Sequence, residues 1–428
     1  LESAFAGSTY PAPAPSRSLQ QEIDANAAND PNWTNLTMTL RLMAGAMGWP
    51  FVPTHSLVAS GLWSDRGRAQ FACPLSGEPV TVVSALQPDV TFVHVPVADT
   101  SGNAIVHGPD AEESWGVWAA KRVVVTAERV VSPDELRRIG PRAGIAGHRV
   151  DFVVEAPFGA HPQGQFVWSD AEGVASYAED YEFRRMLRTL TRDPDTLRSW
   201  VEDWVFKTDH STYLGRLGSE RLDGLRKQAI APTPAAPRDA DAPASPEERA
   251  AILAMRLAVS EAQAGRAQTF FAGIGLAHLA AWAAERRCRD AGIDVSLIAE
   301  TGMVGFRPIE GDPYLFNRPN AASSLFHNSF VQTLAVLAGP RARNCLVMLA
   351  AAQIDARGNI NSSRGSDGRF IVGSGGANDL GNGSAACLVV MPLKTHRFVE
   401  TLPFTTTPIR HHAGVATDLG LLERDAQG

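Results

Sequence analysis

Residues 269–300 read TFFAGIGLAHLAAWAAERRCRDAGIDVSLIAE, and this stretch decides the fold. TFFAG has the apolar, aromatic make-up of a buried strand. The Ala, Leu and Trp content of LAHLAAWAAERRCRDAG fits a helix packed on a sheet, and DVSLIAE follows as a second short buried strand. Strand, helix and strand in that order predict a parallel sheet. Glu300 then stands at the C-terminal end of the second strand, the side on which an open parallel sheet forms its ligand crevice. A carboxylate there is placed for work on a bound substrate; a turn or helix N-terminal carboxylate is the structural alternative. Between strand and helix, Gly273-Ile274-Gly275 leaves backbone N–H groups able to approach an anion. The third glycine of the dinucleotide fingerprint is missing, Leu276-Ala277-His278 following instead, and a tight turn also accounts for the pair.

Working outward, the chain contains a duplication. PDVTFVHVPVADTSGNAIVHG, starting at Pro88, is followed by AAKRVVVTAE ending at Glu128. RNCLVMLAAAQIDARGNINSS, starting at Arg343, is followed after a longer insertion by SAACLVVMPLK ending at Lys394. Each half has an apolar β-rich run, a turn of identical spacing, and a second run opened by Ala-Ala. The turns are Asp99-Thr-Ser-Gly102-Asn103 and Asp355-Ala-Arg-Gly358-Asn359. Gly-Asn is a turn dipeptide and the leading Asp can close the turn through its side chain. A local role does not explain the same turn between the same strands twice, which predicts a repeated α/β domain.

The halves are separated by QAIAPTPAAPRDADAPASPEER, residues 228–249, rich in Ala, Pro and Asp without apolar periodicity. The expected organisation is a first domain over 1–227, this linker, and a second domain over 250–428. Ahead of the linker, residues 195–207 place Leu197, Trp200, Val201, Trp204 and Val205 at helical spacing. Later in the chain, Gly373-Ser374-Gly375-Gly376-Ala377-Asn378-Asp379 follows an expected strand at 369–372. Glycines this dense leave N–H groups uncovered, a nest suited to an oxyanion or phosphate, or else they form a flexible surface loop.

The totals narrow the classes. A chain of 428 residues, 44% hydrophobic and 20% charged, is globular and long enough for two or three domains. A net charge of -7, a pI near 5.9 and the absence of a Lys/Arg cluster argue against nucleic acid. Cys73, Cys288, Cys345 and Cys387 are widely spaced with no CxxC pair, which fits a reducing, cytoplasmic compartment and no zinc site. No apolar run of membrane-spanning length occurs and the N-terminal stretch lacks signal-peptide order, so no membrane association is expected. His94 lies inside an apolar strand as a core residue, and His411 and His412 fall in a turn-rich C-terminal region. No Ser-His-Asp or Cys-His arrangement can be placed, which leaves a carboxylate as the candidate nucleophile.

Several blocks together resemble the class I coenzyme A transferases, glutaconate CoA-transferase in particular. The second half carries FAGIGLAHLAAWAAE, LIAETGMVGF, AAAQIDARGNINSS, VGSGGANDL and RFVETLPFTTTP in the order of the family's β part. The first half carries GWPFVPTHSL, CPLSGEPVTVVSALQPDVTFVHVPVADTSGNA, AAKRVVVTAERVVSPDELRR and VDFVVEAPFGAHPQGQF, as in the family's α part from about its middle onward. The resemblance implies an α/β fold of two related open-sheet domains of the CoA-transferase (NagB/RpiA-like) type, with α-type and β-type parts fused in one chain.

It also implies a mechanism and a site. Glu300 would be the catalytic carboxylate, attacking an acyl-CoA thioester to form a mixed anhydride and then a glutamyl-CoA thioester; Thr301 stands where the family has Ser or Asn. Gly375 and Gly376 would supply oxyanion donors, and Gly273, Ile274 and Gly275 the CoA-binding turn, with Lys394 and Arg397 as cations near CoA. Coenzyme A would be a substrate, with no permanently bound cofactor and no metal. Residues around Phe306, Arg307, Phe326 and His327 are expected to line the crevice for the acceptor acid. The family's α part opens with a further strand, Gly-rich loop and helix, so a companion chain, a removed segment or a truncated start is expected before Leu1, in an oligomer. Hydrolysis or ring opening of a CoA thioester, and a non-catalytic CoA-ester sensor, are the alternative functions on this fold.

Overall fold

The computed structural model describes all residues except 1, 6, 8–13, 26–32, 65, 108–112, 141–143, 168–171, 233–238, 240, 310–314, 316, 384 and 424–428. Leu1 and part of the expected linker lie outside the described residues. The ends of that linker are helical: Ser219–Ile230 runs into it, and Pro246–Gln263 starts inside it, with Pro246 at its first turn and a reciprocal Ser245/Glu248 cap.

The second half builds an eight-stranded sheet in the order Phe326–His327, Met303–Val304, Ser296–Ala299, Thr269–Ala272, Cys345–Leu349, Ala386–Val390, His412–Ala416, Leu421–Leu422. Its five central strands pair in parallel, as residues 269–300 predict. Alternation along the strands divides their side chains between two cores. Phe270, Leu297, Leu346, Met348 and Leu388 face the helices Pro246–Gln263 and Leu276–Asp290. Phe271, Ile298, Val347, Cys387 and Val389 face the other way, and much of what covers them comes from the first half: Trp33, Leu36, Leu40, Val52, Leu57 and Val83 share that core. The capped helix Asn35–Met47 and the antiparallel sheet Phe51–Thr54, Pro79–Ser84, Arg68–Ala72 are therefore packed onto the second-half sheet.

The rest of the first half forms a five-stranded sheet in which Val90–Asp99, Arg122–Val131 and Phe152–Glu155 are parallel. The duplicated turns have the same hydrogen bonds. Asp99 Oδ1 accepts the N–H groups of Ser101 and Asn103 at 2.8 and 2.9 Å, and Asn103 Nδ2 donates to Asp99 Oδ2 at 2.8 Å. Asp355 Oδ1 accepts those of Arg357 and Asn359 at 3.0 and 2.8 Å, and Asn359 Nδ2 donates to Asp355 Oδ2 at 3.1 Å. Gly102 and Gly358 both take left-handed φ values, 87 and 83°, which explains glycine at that place.

Two differences separate the copies. Superposing the turns makes Phe92 the counterpart of Met348; Met348 is fully buried under helices, whereas Phe92 is 74% exposed in a row with half-covered Val124 and exposed Phe152. The long strands Val90–Asp99 and Arg122–Val131 also run unbroken, while their counterparts stop at Leu349 and Val390 and pairing resumes only in a small sheet, Gln353–Asp355 against Phe398–Val399. Residues 195–207 are helical as expected, but as Pro194–Val201 continued by a wider turn over Glu202–Phe206 that leaves Val205 exposed. Trp200 and Trp204 stack on each other, centroids 5.7 Å apart, instead of facing a deep core. The expected strand at 369–372 is a single bridge, Arg364 to Phe370, because the tight turn at Gly365 and Gly368 turns the chain back on itself there.

Candidate active site

The break in the second-half strands opens a pocket of about 410 Å³ at the C-terminal ends of the parallel strands. Gly273, Ile274, Glu300, Ala350, Gly375 and Arg397 are among its lining residues, and Phe5 reaches it from the first half. The sequence-predicted residues are thus largely brought together. Gly376 lies beside them through its bond to Glu300, and Gly275, with φ 92°, starts the helix Leu276–Asp290. Lys394 is not among the lining residues; its ammonium points to Glu247 at 3.6 Å. Phe306, Arg307, Phe326 and His327 do not line it either. Phe306 is fully buried and meets Trp282 edge-on, and Phe326–His327 pairs with Met303–Val304.

Glu300 is held by the turn after Ser296–Ala299. The Gly302 N–H donates to Ala299 O at 2.9 Å, and Gly302 has φ 109°, where a Cβ would lie 1.9 Å from the Asn328 carbonyl oxygen. Only glycine closes this turn. The Gly376 N–H donates to Glu300 Oε2 at 3.1 Å, and a Cβ on Gly376 would come within 2.5 Å of that oxygen. The neighbouring Gly375 N–H is bonded to Ala4 O at 3.1 Å, and Gly375 O accepts the Asn35 N–H at 3.0 Å. First-half backbone therefore pins the glycine loop on both sides. Thr301 Oγ1 is buried with no hydrogen-bond partner among the described residues.

A second buried carboxylate, Asp379 in the short helix Ala377–Gly381, was not singled out by sequence reasoning. Ser56 Oγ donates to Asp379 Oδ1 at 2.5 Å and the Leu36 N–H donates to Oδ2 at 3.1 Å. Beside it, Asn378 Oδ1 accepts the Leu57 N–H at 2.8 Å while Asn378 Nδ2 donates to Thr406 O at 2.8 Å. His55 Nε2 lies 3.3 Å from Asp379 O, and burial lowers the imidazole pKa. The only sequence signal for Asp379 is a carboxylate closing a glycine-rich run; its partners lie over 300 residues away.

Burial raises the Glu300 carboxyl from 4.5 to about 7, opposed by the Gly376 hydrogen bond and reinforced by the charge of Asp379. Burial likewise raises Asp379 to about 7 against its bonds from Ser56, Thr34 and Leu36. A desolvated carboxyl facing a pocket, with a backbone N–H at its oxygen, can act as nucleophile or as proton carrier. Among the described residues no cluster of His, Cys, Asp and Glu could hold a metal, and no helix is long and apolar enough to cross a membrane. Cys288, Cys345 and Cys387 are buried and all four cysteines are free. His94 is bonded on both ring nitrogens, to Thr126 Oγ1 at 2.9 Å and Glu128 Oε1 at 2.7 Å.

Residues 5–156 match the sequence family described as Coenzyme A transferase. An uncharacterized protein of Archaeoglobus fulgidus is 35% identical over 199 residues, covering 46% of this chain and 42% of its own length. One of the polypeptides of glutaconate CoA-transferase from Acidaminococcus fermentans is 28% identical over 229 residues, 49% of this chain and 69% of that polypeptide. The chain thus spans less than half the length of the archaeal relative. An acyl-CoA transferase apoenzyme structure from Escherichia coli O157:H7 has the same fold over 90% of this chain and 68% of that one, with a TM-score of 0.54 and 15% identity. That likeness extends through the second half, beyond the family match.

Proposed function

From the match of residues 5–156 to the coenzyme A transferase family, we propose that the chain is a member of that family and transfers CoA between an acyl-CoA thioester and a carboxylic acid, with Glu300 as nucleophile. The observation that carries this reading is the position of Glu300: buried, at the C-terminal ends of parallel strands, facing a pocket and bonded through Oε2 to the Gly376 N–H. The carboxylate attacks the thioester carbonyl, the C–S bond breaks, and CoA leaves as thiolate with the acyl group held in a glutamyl anhydride. The thiolate then attacks the glutamyl carbonyl and releases the donor acid, leaving a glutamyl-CoA thioester. An acceptor carboxylate reverses the two steps and departs as the new acyl-CoA.

Each attack places negative charge on a carbonyl oxygen, and preorganised N–H donors stabilise it; one such donor is worth about 3 kcal/mol. Gly376, whose N–H already meets the glutamyl carboxyl, is the donor best placed for the oxygen that develops on Glu300. Gly273, Ile274 and Arg397 line the approach and are read as CoA contacts, with the pocket's Ala350–Ala352 wall giving room for the pantetheine arm. The exposed Val90 and Phe92 face is read as the seat of a companion segment built like 246–299, since helices of that segment cover the corresponding Leu346 and Met348.

The test is trapping. Protein incubated with a panel of acyl-CoAs and then borohydride should lose the Glu300 carboxyl to an alcohol, read by peptide mass spectrometry. No change at Glu300 with any thioester refutes the transferase reading. Release of free CoA at the same rate without an acceptor acid turns it to a hydrolase.

A further inference from the structure

Next to the Glu300 pocket lies an open groove of about 700 Å³, and Ile371 lines both. Arginines reach it from three places: Arg17 at the start of the helix Arg17–Ala25, Arg188 and Arg192 at the end of Tyr181–Leu190 and just past it, and Arg369 on the turn before Ile371. The start of the Arg17–Ala25 helix is tied to the end of Tyr181–Leu190. Arg17 Nη1 donates to Arg192 O at 3.2 Å, and the Arg17 N–H to Thr191 Oγ1 at 3.3 Å. Among the described residues one carboxylate lines the groove, Asp367, and its Oδ1 is engaged by the Arg369 N–H at 3.0 Å within its own turn. Among the described residues neither Arg192 nor Arg369 forms an ion pair with a carboxylate.

Among the described lining residues four arginines stand with one aspartate, and two of those arginines, Arg192 and Arg369, form no ion pair with a described carboxylate, which is out of keeping with a chain whose net charge is -7. Guanidinium is the side chain suited to phosphate, offering forked N–H donors that match its oxygens. From the groove, residues 371–376 run directly to Gly376 at the Glu300 carboxyl, so a ligand lying along this segment spans both cavities. A CoA thioester has that shape: a nucleotide bearing phosphates at one end, an uncharged pantetheine arm, and the acyl carbon at the other.

We propose that the Arg17, Arg188, Arg192 and Arg369 groove seats the phosphate-bearing end of the CoA thioester whose acyl end reaches Glu300. This rests on the transferase reading, and it assigns to these arginines a share in recognising the donor and no part in the chemistry at Glu300. Lys394, which pairs with Glu247 and lines neither cavity, is not needed for it.

Two measurements on the full chain test it. In steady-state kinetics with an acyl-CoA that labels Glu300 and with the pantetheine thioester of the same acid, Arg192→Ala and Arg369→Ala should each raise KM for the CoA thioester about tenfold more than for the pantetheine thioester, because only the former has phosphates to lose. Equal changes for the two thioesters overturn the proposal. In calorimetry with adenosine 3′,5′-diphosphate as probe, the wild type should bind, more weakly at high salt, and both variants should lose about tenfold in affinity. No binding by the wild type, or undiminished binding by both variants, also overturns it. The second measurement needs no turnover, so failure of Glu300 to take up an acyl group and failure of the groove to hold phosphates are read separately.

Discussion

Replacing Glu300 by Gln should abolish transfer and yet stabilise the protein above neutral pH. Burial lifts this carboxyl from 4.5 to about 7, which corresponds to roughly 3 kcal/mol at about 1.4 kcal/mol per decade of proton affinity. The folded-state pKa lies above the unfolded one, so between them the native protein binds the extra proton and stability falls as pH rises. Below about pH 4.5 the residue is neutral in both states and the penalty is absent; above about pH 7 all of it is present. Gln is neutral throughout, has the same length, and its amide oxygen can accept the Gly376 N–H that Glu300 Oε2 now accepts at 3.1 Å. The Gln variant should therefore match the wild type near pH 4.5 and gain about 1.4 kcal/mol per pH interval up to roughly 3 kcal/mol at about pH 8. Asp379 carries its own raised pKa in both proteins, so it leaves the difference intact apart from the repulsion that the Gln variant relieves. Urea denaturation of both proteins at about pH 5 and about pH 8 measures it. A difference that does not change with pH, or a Gln variant less stable at the higher pH, refutes a desolvated Glu300 in the folded protein.

On the transferase reading the same raised pKa shapes the pH profile: with deprotonated Glu300 as the attacking form, kcat/KM should climb about tenfold per pH interval below about pH 7 and level off above it, as initial rates across that range would show. Gly376→Ala places a methyl 2.5 Å from Glu300 Oε2; transfer should drop by about 100-fold or more, as expected for a displaced oxyanion donor, with kcat and the thermal midpoint measured together to separate chemistry from folding. Ser56→Ala leaves Asp379 Oδ1 without its 2.5 Å donor and should destabilise the fold by about 1–3 kcal/mol in urea titrations. Met348→Ala should lose about 2–5 kcal/mol, because Met348 is fully buried. Its counterpart Phe92, exposed in the other copy, should change stability by less than about 0.5 kcal/mol on mutation to Ala, both read from denaturation midpoints.

What the sequence made legible were features whose cause is local. The strand, helix and strand over residues 269–300 follow from apolar runs and a helix-forming stretch, and the paired Asp-x-x-Gly-Asn turns follow from side chains that bond to their own backbone. The place of Glu300 at the pocket was legible because strand direction fixes which end carries the crevice. The supporting contacts were not legible, because they join residues hundreds of positions apart. Asp379 is an unremarked carboxylate until Ser56 and Leu36 are folded against it, and Arg17, Arg188, Arg192 and Arg369 form no run that a scan for basic clusters detects. The strand expected at 369–372 misled for a related reason: an apolar run beside glycines carries the composition of a strand, but among the described residues it pairs through one bridge, Arg364 to Phe370.

The duplication also explains why the second half, and not the first, opens the cavity at its strand ends. With the turns superposed, Ala350 in the pocket wall corresponds to His94. In the first half the long strands continue through that place, and His94 bonds to Thr126 and Glu128 across the sheet. Glu128 in turn accepts the Phe158 N–H at 2.8 Å and the Tyr177 hydroxyl at 2.8 Å, and Phe158 packs on Tyr177 with ring centroids 4.4 Å apart. A saturated polar and aromatic plug thus fills the region that the second copy opens by ending its strands at Leu349 and Val390. Two copies of one motif have diverged into a support and a cavity: the first half contributes the Asn35–Met47 helix, Ser56 and the Ala4 carbonyl that fix the glycine loop, and the second supplies the carboxylate that loop presents. Glu300 is therefore a nucleophile candidate whose geometry depends on both halves being folded together.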